Sequence, residues 1–168
     1  MKQKGVTLIE FLMVTLVISI LLATIFTGYR GRNIELVLNR TASKLVADIE
    51  RTREMSMSAR AEQGSYSAGG YGVHFRNNWN DRYIIFTDIN SDKQRNGAED
   101  INTIYLEDGI IITSLSPSNQ LDIVFVPPSP DVYIEGAEGD AMIRIAIESN
   151  PSKFKNIIIN SAGLVYVQ

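Results

Sequence analysis

Lys4-Gly5-Val6-Thr7-Leu8-Ile9-Glu10 opens the one long apolar run of the chain. From Val6 to Thr27 a single charge, Glu10, interrupts it, and neither Pro nor Gly does. At roughly 1.5 Å per helical residue the run is about 33 Å long, close to the hydrocarbon thickness of a bilayer. A carboxylate inside such a run costs about 3 kcal/mol at mid-membrane on insertion scales, and less toward an end. Glu10 therefore requires a cationic partner, and the apolar run supplies none of its own.

These residues resemble the N-terminus of type IV pilin precursors and type II secretion pseudopilins, which have a short basic leader ending in Gly and a Glu five residues further on. Phe is usual in the family where Val6 stands. The resemblance implies a leader of residues 1–5, cleavage between Gly5 and Val6 by a prepilin peptidase, N-methylation of Val6, and a role for Glu10 in assembly. It implies other pilins or pseudopilins, the inner-membrane assembly platform and the lipid bilayer as partners. It also places the N-terminus in the cytoplasm and the head outside the cytoplasmic membrane, then in a pilus or pseudopilus. The sequence-based alternatives are an ordinary secretory signal or an uncleaved anchor. The run is too long for a usual signal core, and no small-x-small cleavage site follows Leu21-Leu22.

The chain has 168 residues, a net charge of −3 and no Cys. Removal of Lys2 and Lys4 with the leader takes the net charge to −5. Without Cys there is no disulfide frame, thiol catalysis or Cys-ligated zinc.

Past the run, Gly28 and Gly31 flank Tyr29-Arg30 and suggest a bend, a melted turn or a helix boundary. From Arg32 to about Glu62 a helical period returns. Ile34, Val37, Leu38, Thr41, Leu45, Ile49, Thr52, Met55 and Ala59 form one stripe, and charges occupy the other face. Two threonines in the stripe favour packing on a sheet over a heptad coiled coil. The turn formers around Gln63-Gly64-Ser65 end the helix.

Strand patterns follow at 71–76, 82–87, 101–107, 110–115, 121–126, 141–148, 154–160 and 164–167. Residues 77–81 link the first two as a hairpin, while Glu107-Asp108-Gly109 and Ser161-Ala162-Gly163 read as tight hairpin turns. Pro127-Pro128-Ser129-Pro130 breaks the ladder. The expected fold is α+β: a long N-terminal helix, half membrane-spanning and half amphipathic, packed on an antiparallel β-sheet head. The expected divisions are 1–5, 6–28, 29–62 and 63–168. The layout is similar to H-type minor pseudopilins and T-type minor pilins, whose strands form two sheets.

The head offers little catalytic chemistry. His74 is the only histidine and lies in a strand pattern, which favours a structural role. No phosphate loop or nucleophile elbow is present. Residues 63–168 hold seven Lys/Arg against thirteen Asp/Glu, a balance that disfavours binding nucleic acid, as DNA-uptake minor pilins do. The richest loop runs from Asp88 to Glu99. Asp88, Asn90, Asp92, Gln94 and Glu99 follow the spacing of a calcium loop, with Lys93 where the sharp turn expects Gly. The other reading is a polar connection rich in turn formers. The sequence therefore points to a structural minor pilin or pseudopilin subunit that needs no cofactor, with calcium as the one candidate ion. A membrane-anchored exported enzyme or binding protein is the alternative.

Overall fold

A computed structural model of the chain describes residues 7–58, 69–127, 132–136 and 139–168, with the side chains of 24–33 outside that description. Among the described residues one α-helix, α1 (Leu8–Met57), precedes nine strands. The helical assignment passes through Gly28 and Gly31 without a break. It ends at Met57, before the expected Glu62, and residues 59–68 lie outside the described set. The chain divides into two compact units, Met1–Leu36 and Val37–Gln168.

In the first unit residues 8–23 of α1 are apolar apart from Glu10, Thr15 and Ser19, and all are exposed. Among the described residues no helix is long and apolar enough to cross a membrane. The run expected to span, 6–27, starts at Val6, outside the described residues, and ends among side chains that are not described. Two of its described polar members, Thr15 and Ser19, are satisfied locally. The Thr15 hydroxyl donates to the Phe11 and Leu12 carbonyls at 3.1 and 3.0 Å, and that of Ser19 to the Thr15 carbonyl at 2.7 Å. Such back-bonding lets hydroxyls sit in an apolar setting.

The second unit is a helix against two antiparallel sheets, an α+β arrangement. The first sheet has the order β3-β2-β1-β5-β6, from β1 (Tyr71–Arg76), β2 (Arg82–Thr87), β3 (Asp100–Tyr105), β5 (Gln120–Phe125) and β6 (Val132–Ile134). The second has the order β4-β7-β8-β9, from β4 (Ile110–Ser116), β7 (Ala141–Ile147), β8 (Asn150–Ile159) and β9 (Val165–Val167).

The amphipathic stripe packs as its period predicts. Leu38, Ala42, Leu45 and Ile49 are buried, as are Thr41, Thr52 and Ser56. Thr52 satisfies its hydroxyl on the Asp48 carbonyl at 2.7 Å, which explains how a threonine belongs in the stripe. The Tyr83 hydroxyl donates to Asp48 Oδ2 at 2.5 Å, and the Ser56 hydroxyl donates to the Phe125 carbonyl. Arg53 reaches the Gly163 carbonyl of the β8–β9 turn at 3.4 Å. These bonds tie the helix to both sheets. Tyr83 also stacks on Phe75, so Tyr71, Val73 and Phe75 face the helix and their neighbours Gly72 and His74 face away.

The hairpins expected at 77–81 and 161–163 form, joining β1 to β2 and β8 to β9. The turn at Glu107-Asp108-Gly109 does not close a hairpin. Gly109 has φ +81° and the chain does turn, but β3 and β4 belong to different sheets. β4 pairs with β7 instead, Ile110 opposite Ile147. β6 is a strand that its three residues were too few to announce. The ladder of β5 stops at Phe125, before the proline stretch; residues 128–131 lie outside the described set.

Candidate functional site

Gly5 and Val6, the expected cleavage and methylation positions, lie outside the described residues. Glu10 is described, and the neighbours that the structure gives it are neutral ones at the start of the helix. Thr7 precedes the helix and Glu10 is its third residue. The Thr7 N–H reaches Glu10 Oε2 at 3.5 Å, and the Glu10 N–H reaches the Thr7 hydroxyl at 3.4 Å. Both distances are long, but the pattern is a capping box. The carboxylate also complements the positive end of the helix. The Thr-x-x-Glu spacing was present in the sequence and carried this signal. The described large apolar side chains around Glu10 are exposed, from 79% for Leu8 to 49% for Leu22. A stripe this wide needs lipid or other helices around it.

The second feature lies on the face of the first sheet that points away from α1. Residues 88–99 connect β2 to β3, yet they fold back across β1 and β5 as a strap. The Arg95 N–H donates to Asp122 Oδ2 on β5 at 3.1 Å, and the Lys93 ammonium lies 4.9 Å from the Tyr133 ring on β6. This cover explains why five of the six residues of β1 are buried, on both faces. Gly72 makes room for its cross-strand neighbour on β2: a Cβ there would meet the Phe86 ring at 2.5 Å.

Within the strap each carboxylate holds N–H groups. Asp88 Oδ2 accepts from the Lys93 N–H at 3.0 Å, and Asp92 Oδ1 accepts from the Gln94 N–H at 2.9 Å. Asn90 Oδ1 takes the Asp92 N–H at 3.1 Å. Glu99 spans the loop, accepting from the Ile89 and Asn96 N–H groups at 3.0 Å each. Ser91 and Lys93 adopt left-handed φ of 63° and 61°, the geometry that the tight turn requires and that Gly would adopt without strain. Burial pushes the Asp88 carboxyl above its ordinary range, opposed by the N–H groups of Lys93 and Ser91. The Gln94 N–H, then Asn96 and Asn90, hold Asp92 below it. The five residues of the calcium pattern are thus in one loop, whose hydrogen bonds account for its shape. Among the described residues no group of three or more His, Asp or Glu is arranged to hold a metal ion.

Beneath the strap His74 Nδ1 and Asp122 Oδ1 are 2.5 Å apart, both side chains almost fully buried. His74 is therefore an internal, paired residue. Trp79 packs edge-on to its ring, 5.7 Å between centroids, and Arg76 and Arg95 each lie 5.4 Å from the Trp79 ring. Arg95 is fixed by two 2.6 Å bonds to Asp100, which raise its pKa. No sequence pattern announced Asp122, 48 residues from His74. The arrangement positions a loop.

Residues 1–26 match the family model described as the prokaryotic N-terminal methylation motif. No curated protein and no solved structure matches the chain.

Proposed function

We propose that this chain, whose first residues carry the prokaryotic N-terminal methylation motif of type IV pilins and pseudopilins, is a structural minor subunit of a type IV pilus or type II secretion filament. The precursor inserts with its leader in the cytoplasm. A prepilin peptidase cuts between Gly5 and Val6 and methylates the new amine. The apolar segment resides in the bilayer and then joins a bundle of such segments, and the β head faces outward.

The observation that carries this reading is the matched motif at the head of a helix whose first side chains, 8–23, are mostly apolar and all exposed. Glu10 supports it further. The contact with the Thr7 N–H keeps the carboxylate within one residue of the amine that cleavage gives Val6. A carboxylate and an ammonium in lipid neutralise each other's cost, and when they come from neighbouring subunits they also fix the axial register. Glu10→Ala is expected to insert and be cleaved but to enter filaments poorly. Co-purification of tagged chain with sheared filaments measures this, and wild-type incorporation of the variant would refute the role in assembly.

A further inference from the structure

One edge of the first sheet is β3, which pairs with β2 alone among the described strands. About half of its N–H and C=O groups therefore point outward, away from β2. The other sheet edges are blunted. β6 and β9 have three residues each, and β4 carries a register shift between Ile112 and Ser114 and runs into Pro117. β3 has six residues with neither Lys nor Pro, and its one irregularity lies at its start, opposite Ile85 and Phe86.

Beside that edge runs a groove of about 470 Å³, all of it within the second unit. Lys44, Asp48, Arg51 and Met55 of α1 line one side, each one residue before a buried member of the stripe, Leu45, Ile49, Thr52 and Ser56. Residues 101–105 of β3 form the other side, and Ile85 of β2 completes it. The register sets Asn102 opposite Ile85 and Ile104 opposite Tyr83, on the face toward α1. Asp48 is engaged by the Tyr83 hydroxyl. Lys44 and Arg51 are exposed, and among the described residues no carboxylate pairs with either. The groove thus carries two unmatched cations on a head whose residues 63–168 hold seven Lys/Arg against thirteen Asp/Glu.

We propose that this groove takes an extended, acidic segment of another protein, which adds a strand to β3 and sets its carboxylates against Lys44 and Arg51. Residues 101–105 span roughly 13 Å at about 3.3 Å per residue, so about five residues of the guest pair with them. Alternate guest side chains face α1. Lys44 and Arg51, two helical turns apart, are separated by roughly 10.5 Å at about 1.5 Å per residue. Acidic residues at the first and fifth guest positions are roughly 13 Å apart, and the length of the Glu, Lys and Arg side chains absorbs the difference. The third position, between them, is apolar and covers Ile104. In strand addition of this kind main-chain hydrogen bonds give affinity and alternate side chains give specificity. The acidic balance of the rest of the head turns the same segment away from other surfaces. The site needs neither cleavage at Gly5 nor entry into a filament, so it stands apart from the function proposed above.

The test uses the full chain in neutral-detergent micelles and a fluorescein-labelled, end-blocked guest peptide, Glu-Thr-Val-Thr-Glu, read by fluorescence anisotropy at low salt. Saturable binding is expected. Lys44→Glu combined with Arg51→Glu should weaken it about tenfold, and so should Lys in place of both Glu in the guest. Hydrogen–deuterium exchange then locates the guest, which should protect β3 amides and leave those of β4 and β9 unchanged. Wild-type exchange in β7 and β8 confirms that the double variant folds. No saturable binding, equal binding by the double variant, or protection away from β3 overturns the proposal. So does a chain that sediments as a dimer without the guest and as a monomer in the double variant, because the occupant is then a second copy.

Discussion

Leu45→Ala tests the packing of α1 on the sheets. Leu45 is fully buried where the helix meets the β core, between Ala42 and Ile49. The substitution removes three carbons, and at about 0.8 kcal/mol for each buried methylene the transfer cost alone is near 2.4 kcal/mol. The cavity adds to this, because a helix hydrogen-bonded to β2, β5 and the β8–β9 turn cannot settle inward. The expected loss is about 3–4 kcal/mol, within the range for buried Leu→Ala. Helix propensity does not offset it, since Leu and Ala are both strong helix formers. Urea unfolding of the full chain in micelles, read by the fluorescence of Trp79, measures the loss in the head; Trp79 is the only tryptophan. With a slope near 2 kcal/mol/M the midpoint should fall by about 1.5–2 M. Glu50→Ala, on the exposed face of the same helix, should stay within about 0.5 kcal/mol of wild type. Equal effects from the two substitutions would refute the packing of this stripe on the sheets.

The Tyr83 phenol gives a pH prediction. Burial first, and the bond to Asp48 second, hold its pKa far above 10.0, so the stability it contributes is complete below pH 10 and is lost as pH climbs beyond it. Tyr83→Phe should cost about 1.5–3 kcal/mol at pH 7 and should shrink the alkaline loss seen by Trp79 fluorescence above pH 10. An unchanged alkaline profile would contradict the buried bond. Calcium at Asp88, Asn90, Asp92, Gln94 and Glu99 is a proposal with its own test. Millimolar calcium should raise the Tm of the chain over that in chelator, and Asp92→Ala should abolish the rise. Equal Tm values would leave the strap held by its hydrogen bonds alone.

What could be read from the sequence was local. The apolar run and the Gly5–Glu10 spacing need no tertiary context. The stripe through Leu38, Leu45 and Ile49 follows from helical period, and the β1–β2 and β8–β9 hairpins from short turns. Pairing between distant strands was not legible. Glu107-Asp108-Gly109 signals that the chain reverses, but not that β4 will leave β3 for β7 in another sheet. Nor does any spacing tell a loop to turn back. Residues 88–99 read as a polar connection or an ion loop, and either reading is local. Their role as a strap depends on Asp122 and Tyr133, which reach them only through the β1–β5–β6 pairing. His74 read as a structural residue, and its environment fits that reading, but its partner lay beyond any periodic pattern.

The central claim, that this chain is processed and assembled as a pilin-type subunit, rests on the first ten residues. Intact-mass analysis of the membrane-extracted protein, from cells with an active prepilin peptidase, tests it most directly. The account predicts a chain that has lost Met1 to Gly5 and carries one added methyl group on Val6. A chain that still begins at Met1, or one cut anywhere other than between Gly5 and Val6, would contradict it.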